Sequence, residues 1–457
     1  MVDVTLKITL SKDLKLSDIP QALKVELIRK LTIPNPKWLE NARMGRWNRN
    51  VPKQLRFFHR YKDTLWVPRG YLRQLIMMCR HYNIPYQIKD LRQTLQSANF
   101  SFQGGLKSFQ QKAVDKMLAK DFGTLNSPTG SGKTVMGLFI IAHRQQPALV
   151  VVHTKDLAYQ WIEQITRFLQ IPESQIGLIG SGKKQIGNAI TVALVQSLYR
   201  CADVVAKRVG HIIVDECHRT PSRTFTDAVT EFDTKYMLGL SATPFRRDNL
   251  SNLIFWHLGD VHHSVDKSHL IAEGHILEAE IILRETDFEP YHDPVNSYSK
   301  MLLELTMNDE RNHLIASDVV KEIQKSKGIC LVLSDRKRHC ETLLALLRYK
   351  HRINADLLTG DLSTEQRKKV LHRLKTDAVP VVIATGQLVG EGFDCPNLTT
   401  LFLATPIRFS GRVLQYLGRV LRPADNKKSA RVYDYVDAKV GVLQSAAKHR
   451  QKVYATM

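Results

Sequence analysis

Eight residues, Ser127 to Thr134, have the composition and order of a loop that binds phosphate groups. They read S-P-T-G-S-G-K-T and lie between a predicted strand and a predicted helix. In such a loop, backbone N–H groups at a helix N-terminus surround the phosphates, a lysine contacts the β and γ phosphates, and a threonine hydroxyl binds Mg²⁺. Gly130, Gly132 and Lys133, with Thr134, supply these parts. Ser127 departs from the usual glycine, so an ordinary Gly/Ser turn that opens a helix is the competing interpretation.

Two acidic residues follow an apolar segment further along the chain. His211 to Val214 predicts a buried strand, and Asp215-Glu216-Cys217-His218 comes directly after it. At the carboxyl edge of a parallel sheet, Asp215 could bind Mg²⁺ while Glu216 polarises the water that attacks a γ-phosphate. Alone, the pattern also fits a strand followed by solvated acids; paired with the phosphate loop, it favours ATP hydrolysis. Ser241-Ala242-Thr243 would add two hydroxyls near the same edge.

Two arginines in the last quarter of the chain could also contact a nucleotide. Gln415 to Arg422 reads Q-Y-L-G-R-V-L-R, which places Arg419 and Arg422 three residues apart on one face of a helix. Guanidinium groups stabilise the charge on a transferring phosphoryl group, and arginines from a separate domain would make domain closure depend on ATP. In isolation, a basic helix flank is the simpler interpretation. The glycine-rich segment 384–394 likewise fits a plain loop when taken alone.

Short apolar strands alternate with helical stretches from about residue 100, which is the pattern of βαβ units around a parallel sheet. A second alternating series begins near Ala279, so we predict two α/β domains with a junction in the polar stretch from Val261 to Glu278. The predicted boundaries are 1–95 for a small α+β domain, 96–270 for the first α/β domain and 271–457 for the second. The predicted strands are 123–126, 148–153, 190–195, 211–215 and 237–241 in the first α/β domain, and 328–333, 355–358, 379–384, 398–404 and 431–436 in the second.

The charge of the chain indicates a polyanionic partner. The 457 residues carry a formal charge of +22, and the first 100 contain 19 Lys and Arg against 7 Asp and Glu, which is +12 of that total. Such an excess attracts nucleic acid, with an acidic membrane surface as the alternative. No apolar run reaches the roughly 20 residues that a membrane span needs, and no signal peptide is visible. We therefore expect an intracellular protein without a membrane partner, and a monomer.

The cysteines predict neither a disulfide framework nor a metal site. All six are scattered without a CxxC pair, so we expect reduced thiols. His262-His263 and His339-Cys340 lack a second cluster with ligand spacing, and ordinary core or surface positions explain them better.

Arginines alternate with aromatic residues in the basic N-terminal region. This mixture suits nucleic acid, because cations contact phosphates while aromatic rings and guanidinium planes stack on exposed bases. A small core with a solvated basic rim is the competing interpretation. The candidate DNA-binding residues here are Arg46, Trp47, Arg49, Lys53 and Arg56.

The ordered set of motifs resembles motifs I, II, III, V and VI of superfamily 2 helicases over residues 100–440. The set is S-P-T-G-S-G-K-T, D-E-C-H, S-A-T, A-T-G-Q-L-V-G-E-G-F-D and Q-Y-L-G-R-V-L-R. The Leu106-Lys107-Ser108-Phe109-Gln110 lead-in and Phe245-Arg246-Arg247-Asp248 are similar to the xeroderma pigmentosum group B branch. The short chain with a basic N-terminal module resembles the phage branch-migration helicases of that branch. The resemblance implies two RecA-like domains in tandem, with ATP and Mg²⁺ as cofactors.

The resemblance also implies a role for particular residues. Gln110 would contact adenine, and Thr129, Gly130, Ser131, Gly132, Lys133 and Thr134 would bind the triphosphate and Mg²⁺. Asp215 and Glu216 would be the metal-binding and water-activating acids, and His218, Ser241 and Thr243 would couple hydrolysis to movement. Gln415, Arg419 and Arg422 would complete the ATP site, lined by Gly392 and Asp394. The sugar–phosphate backbone would contact His153, Thr154, Lys155, Gln196, Ser197, Thr359 and Gly360, and Arg247 lies in a partial match to an Arg-Glu-Asp loop of the group B branch.

The sequence therefore predicts an ATP-driven DNA helicase or translocase, 3′ to 5′ as in its relatives, that acts on forked or branched DNA. An RNA helicase is the nearest alternative, although Cys217 argues against the DEAD-box group. A second alternative is a double-stranded DNA translocase or nucleic-acid sensor that uses ATP without unwinding. A third, a basic binding protein with a degenerate nucleotide site, conflicts with the presence of Lys133, Asp215, Glu216 and Arg422.

Overall fold

The structure, a computed structural model, describes residues 5–219, 222–242, 251–325, 328–376, 378–386, 395, 397–407, 410–421, 423–424, 427 and 430–455. The chain divides into two compact units, Met1–Ser127 with Gly132–Val265 and Pro128–Ser131 with Asp266–Met457. Among the described residues, no helix combines the length and the apolar character needed to cross a membrane.

The N-terminal part of the first unit is a five-stranded sheet with helices packed on it. The strand order is β5-β6-β2-β1-β7, in which β1 pairs parallel with β7 and the other neighbours are antiparallel. Alternate residues of β1 and β2 are fully buried, as the period of two along a strand requires. The elements are β1 (Leu6–Leu10), β2 (Asp13–Ser17), α1 (Gln21–Lys30), β3 (Thr32–Pro34), α2 (Pro36–Arg43), β4 (Gln54–Arg56), β5 (His59–Tyr61), β6 (Thr64–Pro68), a 3-10 turn (Arg69–Tyr71), α3 (Leu72–His81) and β7 (Tyr86–Asp90).

The next part of the first unit is an eight-stranded sheet in the order β11-β10-β12-β9-β13-β14-β8-β15. All its strand pairs are parallel except the hairpin of β10 and β11. Strands β9, β12 and β13 are buried along their whole length, because helices cover both faces of the sheet. The elements are α4 (Ser108–Leu118), β8 (Phe122–Asn126), α5 (Lys133–Arg144), β9 (Ala148–Val152), α6 (Lys155–Leu169), β10 (Gly177–Gly180), β11 (Lys183–Gln185), β12 (Ile190–Leu194), α7 (Val195–Leu198), α8 (Ala202–Ala206), β13 (His211–Val214), α9 (Ser222–Val229), β14 (Tyr236–Ser241), α10 (Ser251–Leu258) and β15 (Val261–Ser264).

The stretch predicted as a polar junction contains regular structure. Val261–Ser264 forms β15, which pairs parallel with β8 at the edge of the eight-stranded sheet. The His262 ring packs so closely on β8 that a Cβ at Gly123 would lie 2.1 Å from its Cδ2 atom. A strand at the edge of a sheet can consist largely of polar residues. The sequence Val-His-His-Ser therefore carries little signal for a strand.

The two sheets of the first unit are joined by close packing around α10. A Cβ at Gly70 would lie 2.3 Å from the carbonyl oxygen of Phe255, so backbone approaches backbone there. Arg69 is buried and donates to the carbonyl oxygen of Thr234 at 2.7 Å. Trp256 lies in the same apolar cluster as the leucines of β1 and β2. The N-terminal sheet is therefore part of the packed core of this unit.

The second unit contains a six-stranded parallel sheet in the order β16-β21-β20-β17-β19-β18. Buried ion pairs link α13 to this sheet, including Arg311 Nε with Asp437 Oδ1 at 2.8 Å. The elements are α11 (Lys267–Ala272), β16 (Ala279–Thr286), α12 (Tyr298–Met307), α13 (Asp309–Lys325), β17 (Ile329–Ser334), α14 (Lys337–Ala345) with a π-helical turn (Leu346–Lys350), β18 (Ala355–Leu358), α15 (Thr364–Lys375), β19 (Val381–Thr385), β20 (Leu398–Leu403), α16 (Ser410–Val420), β21 (Ala430–Asp437) and α17 (Gly441–Ala455). Two parallel-sheet α/β regions after a small α+β region confirm the predicted fold class.

Candidate active site

The phosphate loop connects β8 to α5, as predicted. Gly130 and Gly132 have φ values of 89° and 83°, which explains why glycine occupies these two positions. Ser127 is buried without a positive φ, and its N–H donates to the carbonyl oxygen of Ser241 at 2.8 Å. The Ser131 hydroxyl donates to the carbonyl oxygen of Pro128 at 2.7 Å and closes the loop. Ser127 therefore fits this backbone, and the departure from glycine does not disturb the loop.

Four polar side chains meet at the carboxyl edge of the eight-stranded sheet. Lys133 Nζ donates to the carbonyl oxygen of Ser127 at 3.1 Å and lies 4.0 Å from Glu216 Oε1. Glu216 Oε2 lies 3.4 Å from His218 Nδ1, which is 2.9 Å from the Ser241 hydroxyl. The ends of β8, β13 and β14 bring these residues together, because these strands run parallel in one sheet. The arrangement links the lysine predicted to bind phosphate to the carboxylate predicted to activate water.

Asp215 is the buried acid of the site. Its Oδ2 atom accepts a hydrogen bond from the Trp161 indole N–H at 2.8 Å, and its Oδ1 atom accepts one from the Glu216 backbone N–H at 2.9 Å. Burial and the neighbouring Glu216 carboxylate raise the pKa of Asp215 above its usual range. The carboxylate of Asp215 and the hydroxyl of Thr134 at the start of α5 are oxygen donors of the kind that Mg²⁺ prefers.

Trp161 was missed by the sequence reasoning. It lies in the middle of α6, an amphipathic helix, and it is 1% exposed. A tryptophan on the apolar face of a helix predicts core packing and nothing more. No local signal in the sequence relates it to Asp215, which is 54 positions away.

Gln110 lies beside the phosphate loop. Its Oε1 accepts the Lys107 N–H at 2.9 Å, and its Nε2 points at Gly132, where a Cβ would lie 2.5 Å away. Gln110 is also buried. The structure thus brings Gln110 and the phosphate loop together, and its predicted contact with adenine stays a prediction.

Several predicted site residues fall outside the described part of the chain. They are Thr243, Arg247, Gly392, Asp394 and Arg422, and the side chain of Gln415 is also not described. Arg419 lies in α16, which ends at Val420. The roles predicted for all these residues stay predictions.

The segments predicted to touch a nucleic-acid backbone follow strands of the two α/β regions, with Gln196 and Ser197 in the short helix α7 after β12, and this contact stays a prediction. Thr154 caps α6 by accepting the Leu157 N–H at 3.4 Å, between half-buried His153 and exposed Lys155. Gln196 donates to the carbonyl oxygen of His153 at 3.3 Å, so the segments 153–155 and 196–197 are neighbours. In the second unit, Thr359 and Gly360 directly follow β18.

The N-terminal candidate residues share one insertion, which consists of α2, the loop after it and β4, the strand that pairs with β3. Asparagine side chains fix this loop: Asn41 Nδ2 donates to Asn48 Oδ1 at 2.9 Å, and Asn35 Nδ2 donates to the carbonyl oxygen of Pro52 at 2.8 Å. Trp47 is 85% exposed. The predicted DNA-binding cations of this insertion, Arg46, Arg49, Lys53 and Arg56, are all exposed. The insertion therefore presents cations and an aromatic ring on a preformed loop.

Two family descriptions match the chain. Residues 85–246 match the type III restriction enzyme res subunit, and residues 313–424 match the helicase conserved C-terminal domain. The first match includes the phosphate loop and both acids, and the second includes Arg419.

Curated relatives resemble most of the chain at low identity. The DNA 3′-5′ translocase XPB2 of Sulfurisphaera tokodaii is 26% identical over 356 residues, covering 70% of this chain and 80% of that protein. A putative ATP-dependent RNA helicase L396 of Acanthamoeba polyphaga mimivirus is 25% identical over 383 residues, covering 81% and 70% respectively. Putative helicase 22 of a Sulfolobus islandicus filamentous virus is 24% identical over 341 residues, and those span 69% of this chain but only 60% of that relative's length.

A solved structure shares the fold. A fragment of a putative HsdR subunit of a type I restriction enzyme from Vibrio vulnificus superposes with a TM-score of 0.57 at 18% identity, covering 77% of this chain and 66% of that chain.

Proposed function

Because the chain belongs to superfamily 2 of the ATP-dependent helicases, we propose that it is a DNA helicase or translocase that moves 3′ to 5′ along one strand. The observation that carries this proposal is the contact chain from Lys133 through Glu216 and His218 to Ser241. It connects the residue that would sense the γ-phosphate to the end of β14. We further propose that forked or branched DNA is the substrate, since the charge and the exposed Trp47 favour a nucleic acid with unpaired bases.

The proposed hydrolysis uses the side chains at the carboxyl edge of the sheet. Lys133 would contact the β and γ phosphates, and the loop N–H groups would surround them. Mg²⁺ bound by Thr134 and Asp215 would supply charge neutralisation on the phosphate oxygens. Glu216 would accept a proton from the attacking water. Its contact with His218 would transmit this change in charge to Ser241.

The proposed domains divide these tasks. Residues 1–95 would hold duplex or branched DNA, 96–270 would bind and hydrolyse ATP, and 271–457 would supply Arg419 and further backbone contacts to one strand. The cations of the N-terminal insertion support the first assignment, since they are exposed on a fixed loop.

A direct test compares ATP hydrolysis and strand displacement on DNA and RNA. We expect DNA to stimulate hydrolysis and forked DNA with a 3′ tail to be unwound. Lys133→Ala should abolish both activities, whereas Lys112→Ala, at an exposed position of α4, should preserve them. Retained ATP hydrolysis in Lys133→Ala would refute the placement of the site.

An RNA helicase is the second candidate, because the mimiviral relative carries that name. Stronger stimulation of hydrolysis by RNA than by DNA of the same sequence would favour it. A third candidate function is movement on duplex DNA without unwinding. It is suggested by the relative from Sulfurisphaera tokodaii, whose name describes a translocase. DNA-stimulated hydrolysis without displacement on every fork and four-way junction would favour that function.

A further inference from the structure

The hydrogen bond between Trp161 and Asp215 joins two elements that are far apart in sequence. Trp161 belongs to α6, and Asp215 follows β13; the side chains are 1% and 6% exposed. One oxygen of the carboxylate accepts from the indole N–H and the other from the Glu216 backbone N–H. Both donors are neutral groups that cannot bind a cation themselves. These two hydrogen bonds therefore hold both carboxylate oxygens without adding a positive charge.

Packing fixes the indole ring in turn. A Cβ at Gly137 in α5 would lie 3.2 Å from the Cη2 atom of Trp161, so the helix that starts at the phosphate loop contacts the ring directly. Ile213 of β13 belongs to the same apolar cluster. The orientation of the Asp215 carboxylate thus depends on how α5 and α6 pack on β13.

We propose that Trp161 is a positioning residue for the metal-binding carboxylate of Asp215. Its indole N–H fixes the carboxylate in one orientation and leaves acceptor positions on both oxygens for Mg²⁺ or its water ligands. A carboxylate has about four acceptor positions, and two are occupied here. The inference rests on the proposed function, in which Asp215 binds Mg²⁺.

The chemistry of the donor supports this role. A lysine or arginine beside Asp215 would place a positive charge where the metal ion binds, and the two charges would repel each other. An indole N–H orients the carboxylate with a dipole alone. Partners that hydrogen-bond to metal ligands typically change metal affinity by about 10- to 100-fold.

Trp161→Phe tests the inference, because it removes the N–H and keeps an aromatic ring. Mn²⁺ affinity is measured by electron paramagnetic resonance on the full chain with a non-hydrolysable ATP analogue. We expect about 10- to 100-fold weaker binding, unchanged affinity for the analogue without metal, and recovery of hydrolysis at high Mg²⁺ concentration. Trp256→Phe is the matched control, since Trp256 packs against Phe57 and Tyr71 in the N-terminal core. It should leave Mn²⁺ affinity unchanged.

Asp215→Asn separates the possible failures. If Asp215→Asn loses Mn²⁺ binding but Trp161→Phe keeps the wild-type affinity, Trp161 has no positioning role and the proposed function stands. If both variants bind Mn²⁺ like the wild type, the metal does not bind at Asp215 and the proposed site is wrong.

A second variant covers the case in which Trp161→Phe does not fold. Gly137→Ala keeps the indole but pushes the ring, because the added Cβ would come within 3.2 Å of it. We expect several-fold weaker Mn²⁺ binding by this variant. Unchanged affinity would overturn the inference.

Discussion

Glu216 has a positive φ of 47°, a conformation that residues other than glycine rarely adopt. It lies directly after β13, where the chain turns away from the sheet. The turn brings the carboxylate within 4.0 Å of Lys133 and 3.4 Å of His218. Backbone strain of this kind persists where the surrounding structure enforces it, and it concentrates at functional sites. The backbone therefore helps to place the side chain that we assign to water activation.

Glu216→Gln tests that assignment. The amide keeps the size of the side chain but cannot accept a proton, so we expect kcat for ATP hydrolysis to fall by about 10²- to 10⁴-fold. ATP affinity, measured by fluorescence titration, should change little. Glu163→Gln on the exposed side of α6 is the control and should hydrolyse ATP at the wild-type rate. A wild-type kcat in Glu216→Gln would show that Glu216 does not activate the attacking water.

His257 connects pH to the stability of the first unit. It is buried in α10, and burial, together with the nearby Arg69 charge, lowers its pKa to about 4. In the unfolded chain, His257 is therefore protonated below pH ~6.5. In the folded chain, its side chain stays neutral as the pH falls to about 4. Hence the free energy of unfolding falls as pH drops from ~6.5 to about 4.

His257→Gln should reduce this acid sensitivity. Between pH ~6.5 and about 4, protonation of His257 in the unfolded chain lowers the free energy of unfolding of the wild type by up to roughly 3 kcal/mol. The variant has no histidine at this position and lacks this decrease. Urea unfolding at several pH values measures the difference between the two proteins. Buried His211 also has a lowered pKa and contributes equally to both, so the difference isolates His257. The exposed His143→Gln is the control, and equal pH slopes for all three proteins would contradict the prediction.

At the scale of elements, α10 is the part of the first unit on which the N-terminal region packs. Its Leu253 and Trp256 lie in one apolar cluster with the N-terminal sheet. Arg73 adds an ion pair to Asp260 at 2.9 Å, just after the helix. The connecting segment is held as well, since the Gln93 N–H donates to the carbonyl oxygen of Asp233 at 2.9 Å. α10 and the N-terminal sheet therefore share one packed core.

Gly70→Ala should loosen this packing. The added Cβ would come within 2.3 Å of the Phe255 carbonyl oxygen and 2.6 Å of the Trp256 carbonyl oxygen, so backbone would have to shift. We expect a loss of about 1–3 kcal/mol in the free energy of unfolding, measured by urea denaturation. Gly105→Ala is the control, because its Cβ would meet nothing within 4 Å. Equal stability of the two variants would show that the close approach of Gly70 to α10 does not affect the free energy of unfolding.

At the scale of the whole molecule, charge is distributed unevenly along the chain. The first 100 residues carry +12 of the +22. Deleting the N-terminal region is a poor test of its role, since Leu253 and Trp256 would lose their packing partners. Substitutions on the exposed insertion leave the core intact and are the better test.

The variant with Arg46, Arg49 and Arg56 all changed to Gln should bind forked DNA more weakly. Each lost phosphate contact makes the slope of log affinity against log salt less negative by about 0.9, so we expect the magnitude of the slope to decrease by about 2 to 3. Fluorescence anisotropy at several salt concentrations measures it. The control changes Lys7, Arg29 and Lys30 to Gln, which are paired with Asp18 or Glu26. A salt slope that is the same for both triple variants would exclude the insertion as a DNA-binding surface.

The sequence by itself determined the features that depend on chain neighbours. The phosphate loop between a strand and a helix, the two acids after β13 and the positions of the strands along the chain follow from local pattern, because each needs only adjacent residues and the period of a strand or helix. The class of enzyme followed from these motifs and is confirmed by the family matches.

Tertiary structure alone decided the contacts between distant segments. Trp161 reaches Asp215 across 54 positions and Arg69 reaches Thr234 across 165, and neither spacing has a period that could be recognised. Val261–Ser264 is a strand because it pairs with the edge of β8, although its polar residues predicted a junction between domains. The hydrogen bonds that hold the candidate metal-binding acid are therefore set by how helices pack on the sheet.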